Sequence, residues 1–253
     1  MKLNIVPART GLTWIREGVS TFLRQPLALS GLFFMYLAAA TLLSALPVIG
    51  NFLALALVPA LTLGLMAATQ EATRGKFPMP TLLLSAFRTG RERLRDMLVL
   101  GALYVVACLV VTLLADVVAP PPVGNGELTP ELLQSDAFRS HYLATMVMYL
   151  PVSMLFWHAP ALVHWHGVSP AKSVFFSITA CWRNKAAMAI YGLGWLAIFM
   201  VAGLVVTLLA SITGSPQVVG LAMFPLALFM ASLFFSSIYF SFRDSFIADE
   251  ASN

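Results

Sequence analysis

Apolar positions along the chain fall into six long stretches, at roughly 27–47, 52–70, 97–118, 141–164, 188–210 and 217–239. About 20 largely apolar residues at 1.5 Å each cross a hydrocarbon layer about 30 Å thick, so each stretch predicts a spanning helix. The breaks between them have turn chemistry. Pro47-Val48-Ile49-Gly50-Asn51 separates the first two stretches, and Thr213-Gly214-Ser215-Pro216 separates the last two, so each of these pairs reads as a tight hairpin. The middle pair has a longer connection, Pro120-Pro121-Pro122-Val123-Gly124-Asn125-Gly126, followed by Thr129-Pro130-Glu131. A hydroxyl cap, a proline at the first helical position and an acid near the positive dipole end make a helix start there. The fourth helix is therefore expected to begin near residue 130 and to stand out of the membrane. The competing count is five spans, with 27–70 as one re-entrant pair.

Composition agrees with this pattern. Of 253 residues, 59% are apolar and 10% are charged, against about 45–50% and about 25% in soluble domains. Too few charges are present to cover a water-soluble fold of this size. A soluble enzyme, a nucleic-acid-binding domain and a disordered tail are excluded on that ground, and residues 1–253 read as one integral membrane domain. The net charge of +4 does not point to nucleic acid, because its distribution has another meaning. Two cysteines, Cys108 and Cys181, allow at most one bond, and the spans place them at different depths. Met1 to Arg9 lacks a cleavable leader pattern, so the first span is expected to direct its own insertion.

Lysine and arginine are retained on the cytoplasmic side of a membrane. Residues 1–26 carry Lys2, Arg9, Arg16 and Arg24, and residues 71–96 carry Arg74, Lys76, Arg88, Arg91, Arg93 and Arg95. Residues 165–187 carry Lys172, Arg183 and Lys185, and the tail carries Arg243. Only Arg139 falls on the other side, with Asp116, Glu127, Glu131 and Asp136. Both termini are expected in the cytoplasm.

Each basic segment precedes a hairpin and reads as an amphipathic interfacial helix. The apolar sets are Leu12, Ile15, Val19 and Phe22; then Leu83, Phe87, Leu94 and Met97 or Leu98; then Val174, Phe175, Ile178 and Trp182 after Ser169-Pro170. Such helices place their apolar face in the acyl boundary and their basic face toward anionic headgroups. Arg16, Arg24, Arg88, Arg91, Arg95, Lys172, Arg183 and Lys185 are the candidate contacts to anionic lipid. For the arginine group the plainer reading is a topological anchor, with an Arg88–Glu92 pair contributing only about 0.2–0.5 kcal/mol. The units would be 1–70, 78–164 and 168–240, with a cytoplasmic tail at 241–253. Leu109-Val110-Val111-Thr112-Leu113-Leu114-Ala115 recurs letter for letter at 204–210. That fits a three-fold pseudo-repeat. It also fits any multi-pass protein whose apolar helices draw on few letters.

Ionisable groups in hydrocarbon are costly and mark function. None of the six stretches holds Asp, Glu, Lys or Arg deep within it, which argues against an ion-coupled transporter. The fourth stretch is different, ending Phe156-Trp157-His158-Ala159-Pro160-Ala161-Leu162-Val163-His164-Trp165-His166. On an ideal helix His158 would lie about 12 Å from His166 and about 80° round from it, with His164 pointing elsewhere. Pro160 frees a carbonyl and predicts a kink, as does Pro151. A haem or metal ligand pair is one reading. The other places His164, Trp165 and His166 at the interface with their tips wet, and His158 as a neutral imidazole bonded to a neighbouring helix. Metal sites usually want more ligands than this, and no cofactor is assigned. HExxH, GxSxG and Walker patterns are absent from the sequence, so no catalytic residue is assigned and no enzyme is expected. Gly101, Ala102, Gly192, Gly194 and Gly203 are candidate helix-packing points.

The chain resembles a family of uncharacterised proteobacterial multi-pass inner-membrane proteins. Trp14-Ile15-Arg16-Glu17-Gly18 through Phe22-Leu23-Arg24-Gln25-Pro26-Leu27 carries the resemblance, as does Ala159-Pro160-Ala161-Leu162-Val163 through His166-Gly167-Val168-Ser169-Pro170 and on to Phe176-Ser177-Ile178-Thr179-Ala180-Cys181-Trp182-Arg183-Asn184. The resemblance implies a bacterial inner membrane and no known activity. The fold expected is an all-α membrane bundle of six spanning helices in three hairpins, each hairpin preceded by a cytoplasmic interfacial helix. The first functional expectation is a non-enzymatic protein that binds or passes a small apolar or lipid-like solute, with Trp157, His158, Pro160, His164, Trp165 and His166 as candidate contacts to solute or partner. The alternatives are a scaffold or assembly partner of another membrane complex, with self-association among its forms, and haem binding through His158 and His166. The phospholipid membrane is the expected partner, and nucleic acid is not.

Overall fold

The computed structural model describes residues 2–122, 129–214 and 217–247. Its ten helices are α1 (Thr10–Arg24), α2 (Pro26–Ser44), α3 (Gly50–Thr73), α4 (Arg91–Val118), α5 (Pro130–Gln134), α6 (Asp136–Phe156), α7 (Ala159–His166), α8 (Pro170–Arg183), α9 (Lys185–Thr213) and α10 (Gln217–Ser245). A 3-10 segment, Pro80–Phe87, lies between α3 and α4, and two short strands, β1 (Lys2–Leu3) and β2 (Phe246–Ile247), pair antiparallel. Among the described residues six helical stretches are long and apolar enough to cross a membrane: α2, α3, α4, α6 with α7, α9 and α10. The protein is an all-α membrane protein. In each unit the two long helices pack on one another: α2 on α3, α4 on α6, and α9 on α10. The stretch 27–70 forms two separate helices, turned by residues 45–49, where Val48 takes a left-handed φ of 65°. Most of the long middle connection, 123–128, and Ser215-Pro216 of the last turn lie outside the described residues, as do Glu127 and the tail beyond Ile247.

The basic linkers and both described chain ends gather at one end of the bundle. There the segments that precede the paired long helices follow one docking rule. Each packs chiefly against the second helix of the unit before it, taken cyclically: α1 on α10, the 3-10 segment on α3, and α8 on α6 and α7. Small groups permit this contact. A Cβ on Gly18 would meet Ser237 of α10, and one on Gly64 of α3 would come within 2.6 Å of the Leu83 Cα. Asn184, at the junction of α8 and α9, fastens the end. Its Oδ1 accepts from the Val6 amide (2.9 Å), and its Nδ2 donates to the Asn4 carbonyl (3.0 Å) and Ser245 Oγ (3.4 Å).

Several sequence expectations change at this end. The apolar face of α1 covers protein rather than lipid, because Trp14, Ile15 and Phe22 are buried in the common core while only Leu12 and Leu23 of its apolar residues point outward. Where a second amphipathic helix is expected, the chain forms the 3-10 segment Pro80–Phe87. Gly90, with φ +100°, breaks the chain before α4, so Arg91 and Arg95 ride the first turns of a spanning helix. The fourth stretch starts in two steps. Thr129 caps the one-turn α5, then Ser135 Oγ accepts from the Phe138 amide (3.1 Å) and caps α6. α10 does not stop at 239 but runs to Ser245, where β2 joins the N-terminal strand. Of the expected small-residue packing points, Gly101 lies against the Ala56 carbonyl and Gly194 against the Ile15 side chain. Ala102 is exposed, and Gly192 and Gly203 have nothing among the described residues within 4 Å of a Cβ. The long α9 presents much of its surface outward, so two of its three glycines meet no neighbour.

Candidate functional site

The histidine stretch folds into a break rather than a continuous kinked helix. α6 ends at Phe156 and α7 begins at Ala159 with Pro160 in its first turn, where a missing amide hydrogen costs nothing. Ser177 of α8 joins the two halves. Its Oγ accepts from the His158 amide (2.9 Å) and donates to the Met154 carbonyl (2.7 Å). The His158 ring is fully buried against Phe242 and Phe246, with centroids 6.0 and 5.5 Å away, and neither ring nitrogen has a hydrogen-bond partner among the described residues. The ring therefore packs as a plug between α7 and the end of α10, without the expected bond to a neighbouring helix. His166 also rests on Phe242 (5.8 Å), and Trp165 packs on Tyr239 and Phe242. His164 Nδ1 lies 3.2 Å from Thr89 Oγ1. No group of three or more His, Cys, Asp or Glu that could hold a metal occurs among the described residues.

An apolar opening lies elsewhere, between α6 and α9. α6 packs on α4 and α8, while α9 packs on α1 and α10. The gap they leave is a groove of about 570 Å³. Leu150 and Met154 of α6 form one wall, and Met188, Gly192, Leu196 and Phe199 of α9 form the other. Phe234 of α10 backs it, and Cys181 and Trp182 of α8 form its floor. On α9 the residues at 185, 188, 191–192, 195–196 and 199 recur every three or four positions, so they share one helix face. Gly192 contributes no side chain to that face, and the space stays open.

The groove is apolar because its aromatic residues spend their polar atoms behind it. Ser237 Oγ accepts from Trp195 Nε1 (3.1 Å) and bonds the Tyr191 hydroxyl (2.5 Å), while donating to the Phe234 carbonyl (2.6 Å). Trp157 Nε1 donates to Ser241 Oγ (3.0 Å). A buried donor left unpaired would cost about 1–3 kcal/mol, so these serines fix the rings and leave their carbon faces toward the opening. The one charged side chain in the lining is Lys185, at the basic end, with its Nζ 5.4 Å from the Trp182 ring centroid. Burial pushes the thiol of Cys181 up to about 12.

Of the sequence candidates, Trp157 and Lys185 line this groove. His158, Pro160, His164, Trp165 and His166 do not. The other cationic candidates are spread over three places. Arg16 and Arg24 lie exposed on α1. Arg88 ends the 3-10 segment, with Arg91 and Arg95 beside an apolar trough of about 370 Å³ along Leu94, Leu98, Val99 and Ala102. Lys172 and Arg183 are exposed on α8. Arg93, which was not singled out, is the arginine that turns inward, donating to the Val163 carbonyl (3.2 Å) and packing on Gly167. The α9 stripe and the serines of α10 at 232, 236, 237, 241 and 245 are the signals that lead to the groove. Apart from Lys185 at the end of the stripe, both are helical periodicities of uncharged residues, which a search for charge inside hydrocarbon passes over.

Six apolar helices with basic linkers gathered at one end define a polytopic α-helical membrane protein. A Burkholderia thailandensis protein named as a probable inner membrane protein is 38% identical to this chain over 239 residues, covering 89% of the chain and 86% of the relative. The chain belongs to the same family as that inner membrane protein, which gives it a multi-pass place in the inner membrane. No family model matches it, and no solved structure matches it.

Proposed function

We propose that the protein binds a membrane amphiphile in the groove between α6 and α9, an acyl chain against the α9 stripe and a polar head beside Lys185. The observation that carries this reading is an apolar groove of about 570 Å³ with one cation at its basic end. Its size falls within the range of about 300–1,000 Å³ typical of small-molecule sites. By the retention of basic linkers on the cytoplasmic side, the groove would draw its ligand from the inner leaflet, and both termini would be cytoplasmic. The aromatic wall suits a chain of carbon, since Trp157, Tyr191 and Trp195 offer ring faces and little else.

Native mass spectrometry of the detergent-solubilised protein tests this. Retained lipid or lipid-like adducts are expected on the natural chain. They should be lost in Gly192→Leu, which fills the groove, and altered in headgroup class in Lys185→Gln. Adducts unaffected by Gly192→Leu in a folded protein would defeat the reading.

A further inference from the structure

A second cavity, of about 340 Å³, lies at the basic end between α1, the end of α3 and the last turns of α10. Its walls are as polar as they are apolar, unlike those of the groove. Arg16, Ser20 and Arg24 line it from α1 at successive four-residue steps, which puts them along one face of that helix. Glu17, the one carboxylate in the lining, is already engaged, because Arg243 Nη2 reaches its Oε2 at 2.7 Å. Arg243 is further held by Asp244 Oδ1 (2.8 Å), and its guanidinium carbon sits 5.0 Å from the Phe240 ring centroid. Asp244 in turn accepts from Trp14 Nε1 (3.0 Å). Arg16 and Arg24 take part in no ion pair among the described residues. The cleft thus holds two uncompensated guanidinium groups, with the hydroxyls of Thr13 and Ser20 beside them.

We propose that this cleft is a phosphoryl-binding site, in which Arg16 and Arg24 grip a phosphate or diphosphate and the α1 hydroxyls donate to its remaining oxygens. Planar guanidinium forks match phosphate oxygens two at a time, and Arg16 and Arg24 start about 12 Å apart along the helix, a span their long side chains close around a phosphorylated group. The Glu17–Arg243–Asp244 chain keeps the neighbouring carboxylates turned away from the ligand. Leu12 and Leu23, exposed on the same helix, place the cleft beside the acyl boundary, so a phospholipid headgroup and a soluble phosphorylated compound both have access.

Thermal unfolding in an uncharged detergent, with inorganic pyrophosphate titrated against succinate at equal ionic strength, tests the soluble source. Nanodiscs of phosphatidylcholine with and without phosphatidylglycerol test the lipid source. Stabilisation by pyrophosphate that weakens about tenfold or more in R16Q/R24Q, and stays in R91Q/R95Q, supports a soluble phosphate ligand. Stabilisation by phosphatidylglycerol alone, lost in the same double variant, supports a lipid headgroup. Glu17→Gln, which removes the negative charge from the lining, should tighten whichever ligand binds. Neither probe stabilising, succinate acting equally, or R91Q/R95Q losing as much as R16Q/R24Q would overturn the proposal. So would weaker binding in Glu17→Gln.

Discussion

α9 separates two regions built on opposite principles. On one side Ala187 is buried against Gly11 of α1, and the Tyr191 and Trp195 rings, which line the groove, have their polar atoms tied back to Ser237 of α10. A Cβ on Gly11 of α1 would strike the Ala187 carbonyl and sit 2.8 Å from the Tyr191 amide. On the other side Met188, Gly192 and Leu196 face the open groove. A glycine serves both, but for different reasons. At Gly11 and Gly18 the missing side chain lets backbones meet, whereas at Gly192 it leaves a space unfilled. The lesson is that small residues in an apolar helix mark either a seam or an opening, and only the neighbouring helix decides which.

The largest expected effect breaks the seam. Gly18→Leu would drive a side chain into the Cα and Cβ of Ser237, and backbone cannot yield as a side-chain tip can. Overpacking typically costs about 1–3 kcal/mol and more where backbone must shift, so loss of monodisperse folded protein on size-exclusion chromatography is expected. A folded Gly18→Leu would mean that α1 is not seated on α10. Asn184→Ala comes next. It leaves the Val6 amide without its acceptor and the Asn4 carbonyl without its donor, at an expected cost of about 1–3 kcal/mol. The N-terminal segment should become sensitive to limited proteolysis before the bundle melts. Unchanged proteolysis would show that β1–β2 pairing holds the segment without Asn184.

The spans were legible in the sequence because length and apolarity are local properties, and the hydrocarbon thickness acts on each stretch alone. Thr129 as a helix cap was legible for the same reason. The role of α1 was not. Periodicity marked Ile15 and Phe22 as one apolar face, but nothing in that spacing tells whether α10 or lipid covers it, and the answer lies more than 200 residues away in sequence, in Ser237 and Asp244. The groove was half legible. Trp157 stood out as a candidate solute contact and Lys185 as a candidate contact to anionic lipid, but the opening exists because α6 and α9 choose different neighbours. His158 reads from sequence either as a ligand or as a neutral core imidazole, which look alike there, and the structure adds that its ring is buried against Phe242 and Phe246.

Gly192→Leu sharpens the comparison from the side of the groove. Nothing among the described residues lies within 4 Å of a Cβ there, and leucine recovers most of the roughly 0.8–1.0 kcal/mol that glycine loses to alanine in a helix. The melting temperature should therefore be unchanged or slightly raised, in contrast to the collapse of Gly18→Leu. If both variants melt alike, the division of α9 into a closed side and an open side is wrong.

The smallest effect lies where the two regions meet. Cys181 forms part of the groove floor, yet it is buried, with its Sγ 3.8 Å from the Met154 carbonyl. Burial disfavours the thiolate and pushes this thiol up to about 12. The thiolate is the reactive form. In a Cys108→Ser background, alkylation by iodoacetamide at about pH 8.5, near the ordinary thiol value, should be at least about tenfold slower in the folded protein than after unfolding. The folded state holds this proton more tightly than the unfolded chain does. Its advantage is therefore present in full below the ordinary thiol value and drains away as pH climbs toward about 12. Equal alkylation rates in the two states would show that the floor of the groove opens to water, and that the seam does not extend beneath it.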